Sequence, residues 1–182
     1  MSRIGKLPVI VPNGVKVECA DGRLSVIGPR GSIWLVLHSC VSVVSDGNML
    51  NVSVNGAGRT ERALHGLYRS LVNNAVIGVY SGFEKRLELS GVGYQVQLKG
   101  KQLELSVGYS KPVVFQVPKG INVAVVDSTH MVISGVDKHS VGQFSAQVRS
   151  ARVPDPYKAK GVKYAGEFIR RKAGKAFGAG AK

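Results

Sequence analysis

The chain passes twice through the same succession of patterns. In "VKVECADGRLSVIGPRG", which begins at Val15, apolar and polar residues alternate on both sides of Asp21-Gly22, the signature of two strands joined by a tight turn. "YQVQLKGKQLELSVGYSK", from Tyr94, repeats it around Gly100-Lys101, with Leu103 and Leu105 standing where Leu24 and Val26 stand in the first copy. Shorter alternating runs follow at 33–37, 41–44 and 49–54, then at 113–117, 121–126 and 131–134, with turns expected at Asp46-Gly47 and Asp127-Ser128. Each half then changes to helical periodicity. In "RTERALHGLYRSLVNNAVIG", Ala63, Leu64, Leu67, Tyr68, Leu71, Val72, Ala75 and Val76 recur at i, i+3, i+4 spacing. This predicts one apolar stripe, with Arg62, His65, Arg69 and Asn73 off it. "DKHSVGQFSAQVRSAR" gives a shorter stripe of Val141, Phe144, Val148 and Ala151.

Leu64 and Phe144 lie 80 residues apart, as the strands do, so two copies of one unit account for the pattern. The expected fold is α+β: two tandem duplicated domains, at 1–81 and 82–152, each an antiparallel β-sheet with one main α-helix packed on one face. "YSGF", residues 80–83, marks the expected boundary. Residues 153–182 form a basic C-terminal tail.

Charge separates that tail from the rest. The chain carries 25 Lys and Arg against 11 Asp and Glu, a formal charge of +14, which attracts polyanions. From Arg149 to Lys182 ten cations (149, 152, 158, 160, 163, 170, 171, 172, 175 and 182) face only Asp155 and Glu167. They are interleaved with Tyr157, Tyr164, Phe168 and Phe177. Pro154 and Pro156 end the second helix and favour extended backbone, which sets Lys158 and Lys160 on one side and Tyr157 and Ala159 on the other, with a turn allowed at Gly161. Neutralising phosphates releases counterions irrespective of base sequence. Tyr157 and Tyr164 either stack on unpaired bases, which suits folded RNA, or pack back on the domain. On this reading the tail orders on its partner, and removing 154–182 leaves both domains folded.

Other chemistries find less support. "VSVNGAGRTERAL" has a strand, Gly56-x-Gly58 and a helix start, the layout of a phosphate-binding turn, but Glu61 stands where a third glycine belongs and no Walker Lys-Ser/Thr follows. A nucleotide-binding enzyme using this turn is the rival reading, and a general RNA-binding module is another. His38, His65, His130 and His139 lack metal-ligand spacing and read as surface or half-buried histidines. No catalytic residues, metal site, cofactor or small-molecule substrate is nominated. Cys19 and Cys40 read as thiols in a reducing compartment, a single disulfide being the alternative. No apolar run is long enough to span a bilayer, "EFIRRKAGKAF" lacks a wide apolar face for a membrane surface, and the expected location is cytoplasmic. In "SGVGYQV", Gly91 and Gly93 serve a bulge or strand crossing, or a close backbone approach to a ligand.

Several segments resemble one family. "PDPYKAKGVKY" at 154–164 is similar to the signature of the sixth protein of the bacterial large ribosomal subunit, and "MSRIGKLPV", "GPRG", "ALHGLYRSLVNN", "GVGYQV" and "GYSKPV" also resemble that family at matching positions. The resemblance implies a non-catalytic, duplicated two-domain protein of the ribosome, bound to 23S ribosomal RNA beside the sarcin-ricin loop. Neighbouring large-subunit ribosomal proteins would adjoin it, and translational GTPases would act nearby. Carried over by position, Tyr157, Lys158, Lys160, Gly161, Lys163 and Tyr164 are the implied contacts, with Gly91, Gly93, Tyr94 and Lys111 on adjoining loops. Lys111 replaces the histidine usual in the family. Arg3 and Lys6 are secondary candidates. The charge pattern adds Arg149, Arg152, Arg170, Arg171 and Lys172.

Overall fold

The computed structural model describes residues 2–172 and 174, apart from 21 and 57. Asp21 of the first expected turn, and Lys175, Phe177 and Lys182 of the tail, lie outside the described residues. Along the chain run β1 (Val9–Ile10), β2 (Lys16–Ala20), β3 (Arg23–Gly28), β4 (Gly31–Val36), β5 (Val41–Asp46), β6 (Met49–Val54) and α1 (Arg59–Tyr80). Then come β7 (Phe83–Ser90), β8 (Gln95–Lys99), β9 (Gln102–Ser106), β10 (Val113–Gln116), β11 (Ile121–Asp127), β12 (His130–Gly135), α2 (Lys138–Ser150) and β13 (Gly161–Tyr164). The chain divides into two compact units, Met1–Phe83 with Gly135–Lys138, and Glu84–Ser134 with His139–Lys182.

The duplication holds strand for strand. The first unit pairs its strands as β2-β3-β4 and β1-β6-β5, the second as β8-β9-β10 and β7-β12-β11. Each copy therefore has two small sheets where the sequence suggested one. The Gly100-Lys101 turn falls where expected between β8 and β9, but the Asp46-Gly47 and Asp127-Ser128 turns fall one residue later, because Val44↔Asn51 and Asp46↔Met49 pairing leaves Gly47, at φ 58°, and Asn48 between the strands. Likewise β11 ends at Asp127 and β12 begins at His130.

The first core joins Leu24, Val26, Leu50 and Val52 from the sheets to Val72, Ala75, Val76 and Val79 of α1. The buried stripe of α1 is rotated from the predicted one: Leu67 is 52% exposed, whereas His65 is buried. His65 turns inward because partners wait there. Its Nε2 donates to the Val52 carbonyl at 3.0 Å, and its Nδ1 accepts from the Ser2 N–H at 3.4 Å. The Gly5 backbone lies flat on the ring, so close that a Cβ there would come within 2.5 Å of it.

In the second unit Val141, Phe144 and Val148 of α2 are buried as predicted, along with Leu87, Leu89, Leu103, Leu105 and Ile133 of the strands. Strand β7 occupies residues within the expected second domain for which the pattern named no strand. The largest departure is β13, which pairs antiparallel with β7, Val162 opposite Leu89 and Lys163 opposite Glu88. Val162 has no solvent exposure, and Ala159 is also buried. The expected free strap beginning at 153 is thus corrected: 154–164 completes the second unit, and its removal would strip a strand from the core.

Candidate nucleic-acid interface

Several segments of the second unit meet where β7 ends and β13 begins. Gly161 pairs with Ser90, so the loop through Gly91 and Gly93 leaves beside the start of β13. A Cβ on Gly161 would lie 2.7 Å from Pro154 backbone atoms, which is why only glycine fits there. The Tyr94 ring lies over Gly91 and against Gly108, tying this loop to the one that carries Tyr109 and Lys111. Tyr109 in turn donates from its hydroxyl to the Ala151 carbonyl at 3.1 Å, and the Arg152 guanidinium sits 5.1 Å from its ring centre. Hydrogen bonding to the Tyr109 hydroxyl, with Tyr94 nearby, raises the Arg152 pKa above its ordinary value. The Val162 N–H donates to the Arg152 carbonyl at 2.8 Å, closing the assembly.

The stretch 154–160 is a capped turn and not the extended segment that two prolines suggested. Asp155 accepts at Oδ2 from the Lys158 N–H at 3.0 Å and at its carbonyl from the Ala159 N–H at 2.8 Å, while its own N–H donates to the Lys160 carbonyl at 2.9 Å. Ala159 takes φ 56° and points inward. Tyr157, Lys158 and Lys160 are left exposed at the surface of the turn. The following segment returns to it, with the Lys172 N–H donating to the Pro156 carbonyl at 2.9 Å. An open groove of about 490 Å³ is lined by Phe168, Ile169, Arg170, Arg171 and Lys163.

Electrostatics sorts the candidate cations into two groups. Arg149 donates from Nε and Nη2 to the two carboxylate oxygens of Glu167 at 3.2 and 2.6 Å, and Lys163 pairs with Glu88 at 3.0 Å. The Arg149 hydrogen bonds, helped by the Tyr164 N–H, hold the Glu167 carboxyl below the usual carboxylate range, and Glu167 raises Arg149 in return. The Tyr164 ring has Lys85 and Arg149 within 5.7 Å of its centre. Arg149, Lys163 and Tyr164 therefore brace the unit internally, and Gly161 is buried as a packing residue. Lys111, Lys158, Lys160, Arg170, Arg171 and Lys172 are exposed, with no carboxylate partner among the described residues. These six and Arg152 are the charges available to a polyanion. Tyr109, half exposed beside Arg152, was missed in the sequence, although an aromatic next to Gly108 in "GYSK" was a signal.

Arg3 and Lys6 belong to the other unit. They are exposed on an arm held by α1: Arg69 donates to the Leu7 and Pro8 carbonyls, both at 3.1 Å, one turn beyond His65. The Gly56-x-Gly58 turn does not open a phosphate site. Glu61 folds its own carboxylate back onto the start of α1, and its own backbone hydrogen bond there is the main cause of its lowered pKa. An anionic ligand would meet that charge. Cys19 and Cys40 are free thiols. Among the described residues no helix is long and apolar enough to cross a membrane, and no group of three His, Cys, Asp or Glu is placed to hold a metal.

Comparison with known proteins agrees with this architecture. The family described as Ribosomal protein L6 matches twice, at residues 11–82 and 90–165, one match per unit. The chain is 53% identical over 175 residues to the large ribosomal subunit protein uL6 of Geotalea uraniireducens, covering 96% of this chain and 98% of that one. It is 50% identical over 176 residues to uL6 of Crocosphaera subtropica and 49% identical over 176 residues to uL6c of Guillardia theta, each covering 97% of this chain and 98% of the relative.

Proposed function

Because the chain belongs to the ribosomal protein L6 family, we propose that it is a structural, non-catalytic constituent of the large ribosomal subunit that clamps 23S ribosomal RNA. The observation that carries this reading is the gathering of Lys111, Arg152, Lys158, Lys160, Arg170, Arg171 and Lys172 at one end of the second unit, after the nearby carboxylates Glu88 and Glu167 have been taken by Lys163 and Arg149. A solvent-facing cluster of like charges repels itself, and an RNA backbone relieves that repulsion with release of counterions. Tyr157 and Tyr109 offer exposed rings for unpaired bases, and Gly93 leaves backbone open to a phosphate or ribose while the Tyr94 ring covers Gly91. The internal ion pairs keep the turn and the tail in register without contributing charge to the RNA. Arg3 and Lys6 add a smaller contribution from the arm.

The RNA segment that this surface clamps is the sarcin-ricin region, next to the site where translational GTPases act, and neighbouring large-subunit proteins adjoin it. Chemical probing of 23S RNA with the full chain tests this. Protection of that region, lost with Lys158→Glu/Lys160→Glu, is the expected result. Protection confined to other helices would refute the location, and equal competition by bulk RNA would leave only a general RNA-binding module.

A further inference from the structure

The first unit turns an open sheet face to solvent. Strand β4 is the edge of the sheet β2-β3-β4, and its outward residues are Ser32, Trp34 and Val36. Opposite them on β3 stand Ile27, Ser25 and Arg23, and beyond those on β2 stand Lys16, Glu18 and Ala20. Outward positions of a half-buried sheet are ordinarily polar. Here Trp34, the one tryptophan of the chain, is 71% exposed and Val36 is 58% exposed. An indole left in water forgoes the large burial energy that aromatic side chains bring to a core or interface.

The surroundings of Trp34 choose its occupant. Arg23 lies diagonally across from it, within reach of a long side chain, and Lys16 lies on the other diagonal one strand further away. Ser25 stands directly opposite, with Ser32 two positions along its own strand. Glu18, the face's acidic residue, lies in line with Trp34 beyond Ser25, nearer to it than Lys16 is. A flat ring beside the Ser25 and Ser32 hydroxyls, with the Arg23 cation on one diagonal, is complementary to an unpaired base joined to its phosphate. The Arg23 cation beside the ring suits a polyanion.

We propose that Trp34 stacks on an unpaired nucleobase of large-subunit ribosomal RNA while Arg23 neutralises a flanking phosphate, so that the first unit has an RNA-binding surface of its own. This rests on the ribosomal role proposed above. Trp34 is its own reporter, since no other tryptophan contributes to emission excited at 295 nm. The test titrates the full chain, Trp34→Ala and Trp34→Phe with large-subunit ribosomal RNA transcribed in vitro, following wild-type fluorescence and measuring affinities by filter binding. The expected result is strong quenching on binding, an affinity about 5- to 150-fold weaker for Trp34→Ala, and recovery of most of that loss by Trp34→Phe. Wild-type binding with unchanged emission, or with undiminished affinity for Trp34→Ala, overturns this inference while leaving the ribosomal role standing. Failure of the wild-type chain to bind the RNA overturns both. Shielding of Trp34 from acrylamide in reconstituted large subunits, but not in the RNA complex, also overturns it and assigns the face to a protein neighbour.

Discussion

Replacing Val162 by Ala tests whether the turn that carries Lys158 and Lys160 is anchored in the core. The side chain has no solvent exposure and stands opposite Leu89 across the β7–β13 pair. Removing its two methyl groups loses about 1.6 kcal/mol of transfer energy at about 0.8 kcal/mol per carbon, and the cavity left behind raises the cost to roughly 2–3 kcal/mol. For a unit of about 95 residues, each kcal/mol lowers the midpoint by roughly 4–8 °C, so a fall of about 10–20 °C is expected. Differential scanning calorimetry of the full chain reads this directly. A companion chain ending at residue 172 retains β13 and the Arg149–Glu167 pair and should keep the wild-type midpoint within a few degrees, whereas one ending at 153 should lose the second unit's transition. A midpoint for Val162→Ala within about 2 °C of wild type would show that β13 is not part of the core, and the rigid clamp would have to be given up.

Other perturbations probe separate parts of the scheme. Gly161→Ala places a Cβ 2.7 Å from Pro154 backbone atoms, which cannot rotate away, so urea denaturation should show a loss of more than about 2 kcal/mol. Glu167 has a lowered pKa in the folded state, so its stabilising effect is complete above its ordinary value of 4.5 and is lost as pH falls through the folded value; Glu167→Gln should flatten the decline of stability below about pH 4.5. Unchanged acid sensitivity in that variant would remove the Arg149–Glu167 brace from the account. Arg69→Ala removes both bonds to the Leu7 and Pro8 carbonyls, and trypsin cleavage after Arg3 or Lys6 should accelerate roughly tenfold while the global melting point moves by no more than a few degrees.

The duplication, the hairpins and both helices were legible because each is a local, periodic signal carried by apolar residues. Strand β7 was legible in principle, since Leu87 and Leu89 alternate with Arg86 and Glu88, but only two aliphatic side chains among charged ones carry the signal. Strand β13 was not, because two prolines and three lysines surround its one fully buried aliphatic side chain, and pairing with β7 is a long-range fact. The left-handed Ala159 carries no glycine to announce it and follows from the Asp155 cap. The inward turn of His65 depends on Val52 and on the arm, far away in sequence. For the site, composition located the charge but did not divide it. Lys163 and Arg149 look the same as Lys158 and Arg171 along the chain, and only the β7–β13 register and the fold-back of Glu167 show that they are neutralised internally.

The central claim is that cations on the second unit, left without carboxylate partners, hold the RNA. Each phosphate contact contributes about −0.7 to −0.9 to the slope of log affinity against log salt. Measured on 23S RNA between 50 and 200 mM salt, roughly the range over which such contacts are resolved, Lys158→Ala/Lys160→Ala/Arg171→Ala should reduce the slope by about 2 to 3, while Lys163→Gln leaves it nearly unchanged. A triple variant with the wild-type slope, or an equal loss from Lys163→Gln, would contradict the account.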